Sequence, residues 1–178
     1  MTEQDIAVLL RRYKDGGLSE EEAVQAMRSA SFEDMGFAEV DHSREQRQGF
    51  PEVIYAEGKT QEQVLAILQS LAAHGKGNLM ATRASREKYD FVKAAMPDVE
   101  YDEAARIIYV DRDMSVERDP EHRVLILTAG TSDIPVAEEA RLTAYLWGNT
   151  VDTCYDCGVA GIHQIGRASC RERVSSPV

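Results

Sequence analysis

The chain is predicted to be an α/β protein: an N-terminal helical hairpin, a small α/β domain, then the opening β-α-β part of a doubly wound parallel sheet. Three observations predict it. Ser19-Glu20-Glu21-Glu22 is a capping box behind a Gly16-Gly17 stop. Short β-rich runs alternate with amphipathic helical patterns from Phe32 to Val110. Finally, the apolar run Val124-Leu125-Ile126-Leu127 leads into the small-residue turn Thr128-Ala129-Gly130-Thr131-Ser132-Asp133 and another helix.

In chain order, Ile6, Leu9, Leu10 and Tyr13 fall at helical spacing, and Asp15-Gly16-Gly17 ends that helix. Ser19 caps the next, whose stripe is Ala23, Met27 and Ala30. Two β-rich ends, Phe37–Val40 and Val53–Tyr55, flank a polar loop containing Gly49 and Pro51. Thr60 caps a helix running to about Ala73, with Val64, Ile67, Leu68 and Leu71 on one face. A strand follows at 78–82, a helix capped by Ser85 closes before Pro97, and Ala105–Val110 is the last β-like run before the charged stretch DRDMSVERDP. After the Val124–Leu127 strand, expected to be buried on both faces, Asp133 can cap and Pro135 suits the first turn of a helix carrying Ala137, Ala140, Leu142 and Tyr145. Thr150–Cys154 begins the next strand. The resulting division is an arm at 1–31, a small α/β domain at 32–112, a linker at 113–122, a parallel-sheet start at 123–163 and a tail at 164–178. One crossover leaves a parallel sheet incomplete, so apolar surface and a strand edge are expected to be exposed.

Composition narrows the function. With 20 basic and 31 acidic residues the net charge is −11, which argues against nucleic acid as a partner. No apolar run approaches the roughly 20 residues of a membrane span, so no membrane partner is expected. Three cysteines and a charged N-terminus without a signal pattern point to the cytoplasm and away from a disulfide scaffold.

Several groups of residues invite a chemical reading. The Ala129–Asp133 turn can cradle a phosphate through its N–H groups, with Ser132 donating and Asp133 holding a hydroxyl; an ordinary strand-to-helix turn fits the spacing equally well. Glu57-Gly58-Lys59-Thr60 lacks the earlier glycine of a phosphate-binding loop, because that position is Val53. Cys154-Tyr155-Asp156-Cys157 has redox or metal spacing but no second ligand pair; two small core residues are the favoured reading, and no metal-ligand set emerges. The charged run from Asp41 to Lys59 is either a solvated loop or a ligand loop. In the latter, Arg47 and Lys59 meet carboxylate or phosphate and Glu57 acts as acid or base.

FAEVDHSREQRQGFPEVIYAEGKT, LTAGTSDIPVAEEA and YDCGVAGIH together closely resemble the LarB family, the pyridinium-biscarboxylate mononucleotide synthases of nickel-pincer cofactor biosynthesis. The resemblance covers residues 1 to 163, and its second half is similar to PurE-type aminoimidazole ribonucleotide carboxylases. It implies carboxylation of the pyridinium ring of nicotinic acid adenine dinucleotide by carbon dioxide or bicarbonate, with hydrolysis of the phosphoanhydride to release AMP. It implies no covalently bound cofactor, admits magnesium, and leads to a homo-oligomer for full-length members. A thiolate late in the PurE-like domain would add to the ring and make a neighbouring carbon nucleophilic.

Carried onto this sequence, Gly130, Thr131, Ser132 and Asp133 would contact the nicotinate riboside or its phosphate. His163 would stand near the reacting ring, and Arg47, Glu57 and Lys59 would close over the substrate. The family continues His-Arg, whereas this chain reads His163-Gln164 and then IGRASCRERV, which resembles a translated sequencing adapter. The expectation is therefore a truncated PurE-like domain without the catalytic cysteine, inactive as it stands and of doubtful oligomeric state. Two alternatives stay open: a PurE-type purine carboxylase or mutase, and a nucleotide-binding module without chemistry.

Overall fold

A computed structural model describes residues 3–29, 32–112 and 123–158. The 113–122 linker, His163 and the tail lie outside the described residues. The chain forms two compact units, residues 1–52 with 69–75, and residues 53–68 with 76–178.

The first unit opens with the expected hairpin of α1 (Glu3–Lys14) and α2 (Glu20–Ser29). Its capping box is complete: the Glu22 N–H donates to Ser19 Oγ at 3.2 Å and the Ser19 N–H to Glu22 Oε2 at 2.8 Å. Ahead of the polar loop the strand reading shifts. β1 (Phe32–Asp34) and β2 (Glu39–Asp41) pair antiparallel, with Glu33 opposite Val40. The turn between them takes the Phe37 position out of the sheet, because Gly36 is left-handed at φ 79° and its N–H donates to Asp34. The polar loop also contains a short helix, α3 (Arg44–Gln48).

In the second unit β3 (Val53–Tyr55), β4 (Leu79–Thr82), β5 (Glu100–Asp102) and β6 (Ile107–Val110) form one sheet in the order β3-β4-β6-β5. β3 and β4 run parallel, joined through α4 (Gln61–His74), while β5 and β6 pair antiparallel. β5 was not legible in the sequence, since Glu100-Tyr101-Asp102 has little apolar content of its own. The helix starts hold as expected. Thr60 Oγ1 accepts from the Gln63 N–H, and Ser85 Oγ accepts from the Lys88 N–H at the start of α5 (Arg86–Ala95).

Register sorts the side chains by face. Val53, Met80 and Tyr109 lie in one row, and Ile54, Ala81 and Ile108 in the next, pointing to the opposite face. The second row is buried throughout. Against the first row, with Ile107 and Ala105, pack Leu142 and Leu146 of α6 (Ile134–Leu146).

α6 also joins β7 (Arg123–Leu127) and β8 (Thr150–Cys154), which pair parallel in the expected crossover. Val124, Leu125 and Leu127 are 37–53% exposed, so the double burial expected of this strand is not met. Among the described residues β7 pairs with β8 alone, which leaves its other edge uncovered.

Candidate functional site

Ligands of parallel sheets gather at the carboxyl ends of the strands, and the second unit has two such ends. The first follows β3 and β4. There the chain turns at Gly58, at φ 80°, and brings Glu57 and Lys59 back onto Tyr55. The Tyr55 hydroxyl donates to Glu57, and Lys59 Nζ donates to the Tyr55 carbonyl at 3.0 Å. Lys88 Nζ donates to the neighbouring Ala56 carbonyl at 2.8 Å. Arg83 and Arg106 both adopt left-handed backbone, near φ 55°, and the Ala84 N–H donates to the Arg106 carbonyl. Arg83 Nε reaches Glu139 of α6 at 2.8 Å.

The Tyr55 hydrogen bond lowers the Glu57 pKa, helped by the charges of Arg83, Arg106 and Lys88. Glu57 is therefore a carboxylate at neutral pH, suited to accept a proton or a hydrogen bond and unsuited to act as a proton-loaded acid. Beside it, Arg83 and the α6 residues Glu139, Ala140, Thr143 and Ala144 line an open groove of about 450 Å3 that extends to Trp147. Cationic groups at strand ends beside such a groove form a setting for an anionic ligand.

The second carboxyl end follows β7 and β8. The Thr128 N–H donates to the Cys154 carbonyl, the Cys157 N–H to the Thr128 carbonyl, and the Asp156 N–H to Thr128 Oγ1. These bonds draw the 154–158 loop against the turn. An added Cβ at Gly158 would lie 2.4 Å from the Ala129 carbonyl oxygen, so this approach requires glycine. Asp133 does not cap α6 through its side chain; its Oδ2 accepts the Gly130 N–H at 3.2 Å instead. That interaction closes the turn and commits one N–H of the expected phosphate cradle. Thr131 and Ser132 are exposed at its tip.

Cys154 and Cys157 are joined in a disulfide rather than packed as two separate core side chains. Asp156, left-handed at φ 55°, turns the chain and brings the sulfurs together.

In the first unit Asp41 organises the charged loop. It accepts the Ser43 N–H and hydroxyl and pairs with Arg47. Arg47 also lies over the Phe32 ring, 5.9 Å from its centroid. Arg44 donates to both oxygens of Glu52 at 3.0 and 3.2 Å. Nearby, Glu33, His42 and His74 bring three potential ligand atoms within 4.8 Å of one another. Hydrogen bonds from Ser70 and then His42 lower the Glu33 pKa, so this carboxylate is ionised at neutral pH.

Residues 32–112 match the model of the LarB/PurE-like N-terminal domain. They form a domain of that family. Over 163 residues the chain is also 31% identical to an uncharacterised protein of Methanocaldococcus jannaschii. The match takes in 88% of this chain and spans 63% of that relative's length.

Within the LarB/PurE-like domain the expected loop residues fall into two groups. Arg47 belongs to the first unit, bound to Asp41; Glu57 and Lys59 belong to the second and share Tyr55. Gly130, Thr131, Ser132 and Asp133 occupy the turn after β7. Tyr55, Arg83, Lys88 and Arg106 carry no motif in the sequence that marks them as site residues. Tyr55 reads as a plain strand residue and Arg83 as a loop cation, and their proximity follows from pairing β4 against β3 and β6. Glu33 and His74 were also missed. The one local signal was the Ser70–His74 spacing, which places both on a single helix face.

Proposed function

We propose that this chain supplies the substrate-binding part of a carboxylase acting on nicotinic acid adenine dinucleotide. In this reaction the pyridinium ring is carboxylated by carbon dioxide or bicarbonate, and the phosphoanhydride is hydrolysed to release AMP. Membership of the LarB/PurE-like family gives the carboxylase-type relationship. The observation that carries the finer reading is the cationic cluster of Lys59, Arg83, Lys88 and Arg106 around the Tyr55–Glu57 pair, at the carboxyl ends of β3 and β4.

A dinucleotide is anionic at its pyrophosphate and at its nicotinate carboxylate, and arginines and lysines bind both groups by charge-assisted hydrogen bonds. Glu57, ionised, would accept a proton or orient the water that attacks phosphorus. Ser132 and Thr131 would contact the riboside phosphate from the turn after β7, and His163 would stand beside the ring. The ring-activating thiolate is assigned to a cysteine of a complete PurE-like domain, because Cys154 and Cys157 are bonded to each other. A complete domain would also supply the homo-oligomer. Asp133 is engaged by the Gly130 N–H.

Binding and carboxylation are tested separately. The 178-residue chain is titrated with nicotinic acid adenine dinucleotide by calorimetry, with aminoimidazole ribonucleotide as competitor. It is then assayed with labelled bicarbonate beside a version extended by a complete PurE-like domain. The reading expects dinucleotide binding by both, weakened about tenfold or more by Arg83→Ala, and label incorporation by the extended chain alone. Displacement by aminoimidazole ribonucleotide would instead favour a purine carboxylase. Binding without turnover in the extended chain would favour a nucleotide-binding module.

A further inference from the structure

We propose that Glu33, His42 and His74 form a binding site for a divalent transition metal, with zinc as the fitting ion. Glu33 comes from β1, His42 follows β2, and His74 is the last residue of α4. The two imidazole rings lie 4.1 Å apart between centroids, and His42 Nε2 is 3.0 Å from Glu33 Oε2. A tetrahedral zinc site with bonds of about 2.0–2.1 Å sets ligand atoms about 3.4 Å from one another. The three ligand atoms, mutually within 4.8 Å, need to close by little more than an ångström.

The surrounding hydrogen bonds prepare these groups as ligands. His74 Nδ1 donates to the Ser70 carbonyl at 2.9 Å, which assigns the proton to Nδ1 and leaves the Nε2 lone pair for a metal. The Ser70 hydroxyl donates to Glu33, holding its carboxylate toward the histidines. The Ser70–His74 pair is thus a support layer on α4, the kind that fixes ring orientation at metal sites.

His42 provides a second, independent sign. Its side chain is nine-tenths buried, yet its Nδ1 has no hydrogen-bond partner among the described residues. A buried ring nitrogen left bare is a cost that a purely structural His–Glu pair does not explain. A bound cation would offset that cost by polarising the ring. On binding, the neutral His42 imidazole coordinates through a ring-nitrogen lone pair and keeps its one N–H on the other ring nitrogen.

Two imidazoles and one carboxylate suit zinc and its neighbours, whereas magnesium prefers all-oxygen sites. Three protein ligands leave a fourth position for water, and the exposure of His74 and Glu33 gives the ion a path in. The site would clamp the β1–β2 hairpin to the end of α4 within the first unit. It is independent of the carboxylase reading.

The test is zinc titration of the tag-free, metal-stripped 178-residue protein by calorimetry, with magnesium in parallel. Thermal unfolding is followed with and without zinc. The expected result is one zinc per chain, a raised Tm and no magnesium binding at equal concentration. His74→Gln and Glu33→Gln change groups at least partly exposed and keep polar side chains, so both are expected to fold. Each should weaken zinc binding at least tenfold while the metal-free Tm stays near that of the wild type. Cobalt replacement distinguishes the ligand set: nitrogen and oxygen ligands give weak visible bands and no thiolate charge-transfer band. Failure to bind zinc, wild-type affinity in either variant, or a thiolate band would each overturn the assignment.

Discussion

Asn78 Nδ2 donates to the carbonyl of Leu146, 68 residues later, at 2.7 Å, while Asn78 Oδ1 accepts the Arg112 N–H at 2.7 Å. One buried side chain therefore joins the start of β4 to both the end of the LarB/PurE-like domain and the last turn of α6. The Leu146 carbonyl is one of the terminal groups a helix cannot satisfy internally. Asn78→Ala removes a partner from two backbone groups at once. We expect a loss of about 2–3 kcal/mol in urea unfolding, with an unchanged m-value. Asn78→Asp keeps the acceptor and should separate the contribution of the amide donor.

The core beneath α6 gives a second measurement. Ile107 is fully buried in the cluster with Met80, Leu142 and Leu146. Ile107→Ala should cost about 2–5 kcal/mol through lost transfer energy and the cavity left behind. Val136, on the same helix but 62% exposed, serves as the control; Val136→Ala should stay within about 0.5 kcal/mol.

Tyr55 and Glu57 make a pH-dependent pair. The Glu57 pKa is lowered chiefly by the Tyr55 hydroxyl, and the Tyr55 pKa is raised chiefly by Glu57. A carboxyl depressed on folding stabilises the fold above its unfolded pKa, and that contribution is lost as pH falls through the folded value. Tyr55→Phe should raise the Glu57 pKa toward the ordinary glutamate range in a carbon-detected NMR titration. An unchanged titration would assign the shift to the neighbouring cations instead.

Gly158 sets the spacing between the loop after β8 and the turn after β7. Gly158→Ala places a methyl group against the Ala129 carbonyl, a backbone atom that moves only with the whole turn. The expected cost is about 1–3 kcal/mol, accompanied by amide shift changes at Thr128 to Asp133. If those amides hold their positions, the loop is pliant enough to absorb the methyl group.

Local chemistry was legible in the sequence. The Ser19–Glu22 box and the Thr60 and Ser85 caps are hydrogen bonds closed within three residues, so the residue types alone specify them. The β7-turn-α6-β8 unit was also legible, because an apolar run, small turn residues and a helix in immediate succession leave few alternatives. The tertiary structure alone decided the rest. β5 is a strand because β6 lies beside it, and Arg83 meets Glu139 because α6 crosses the four-stranded sheet. Glu33, His42 and His74 converge because a hairpin and a helix end fold together within one unit. The physical reason is loop closure: contacts over three or four residues follow from backbone geometry, whereas distant ones form only when burial of a whole face offsets the entropy of bringing the segments together.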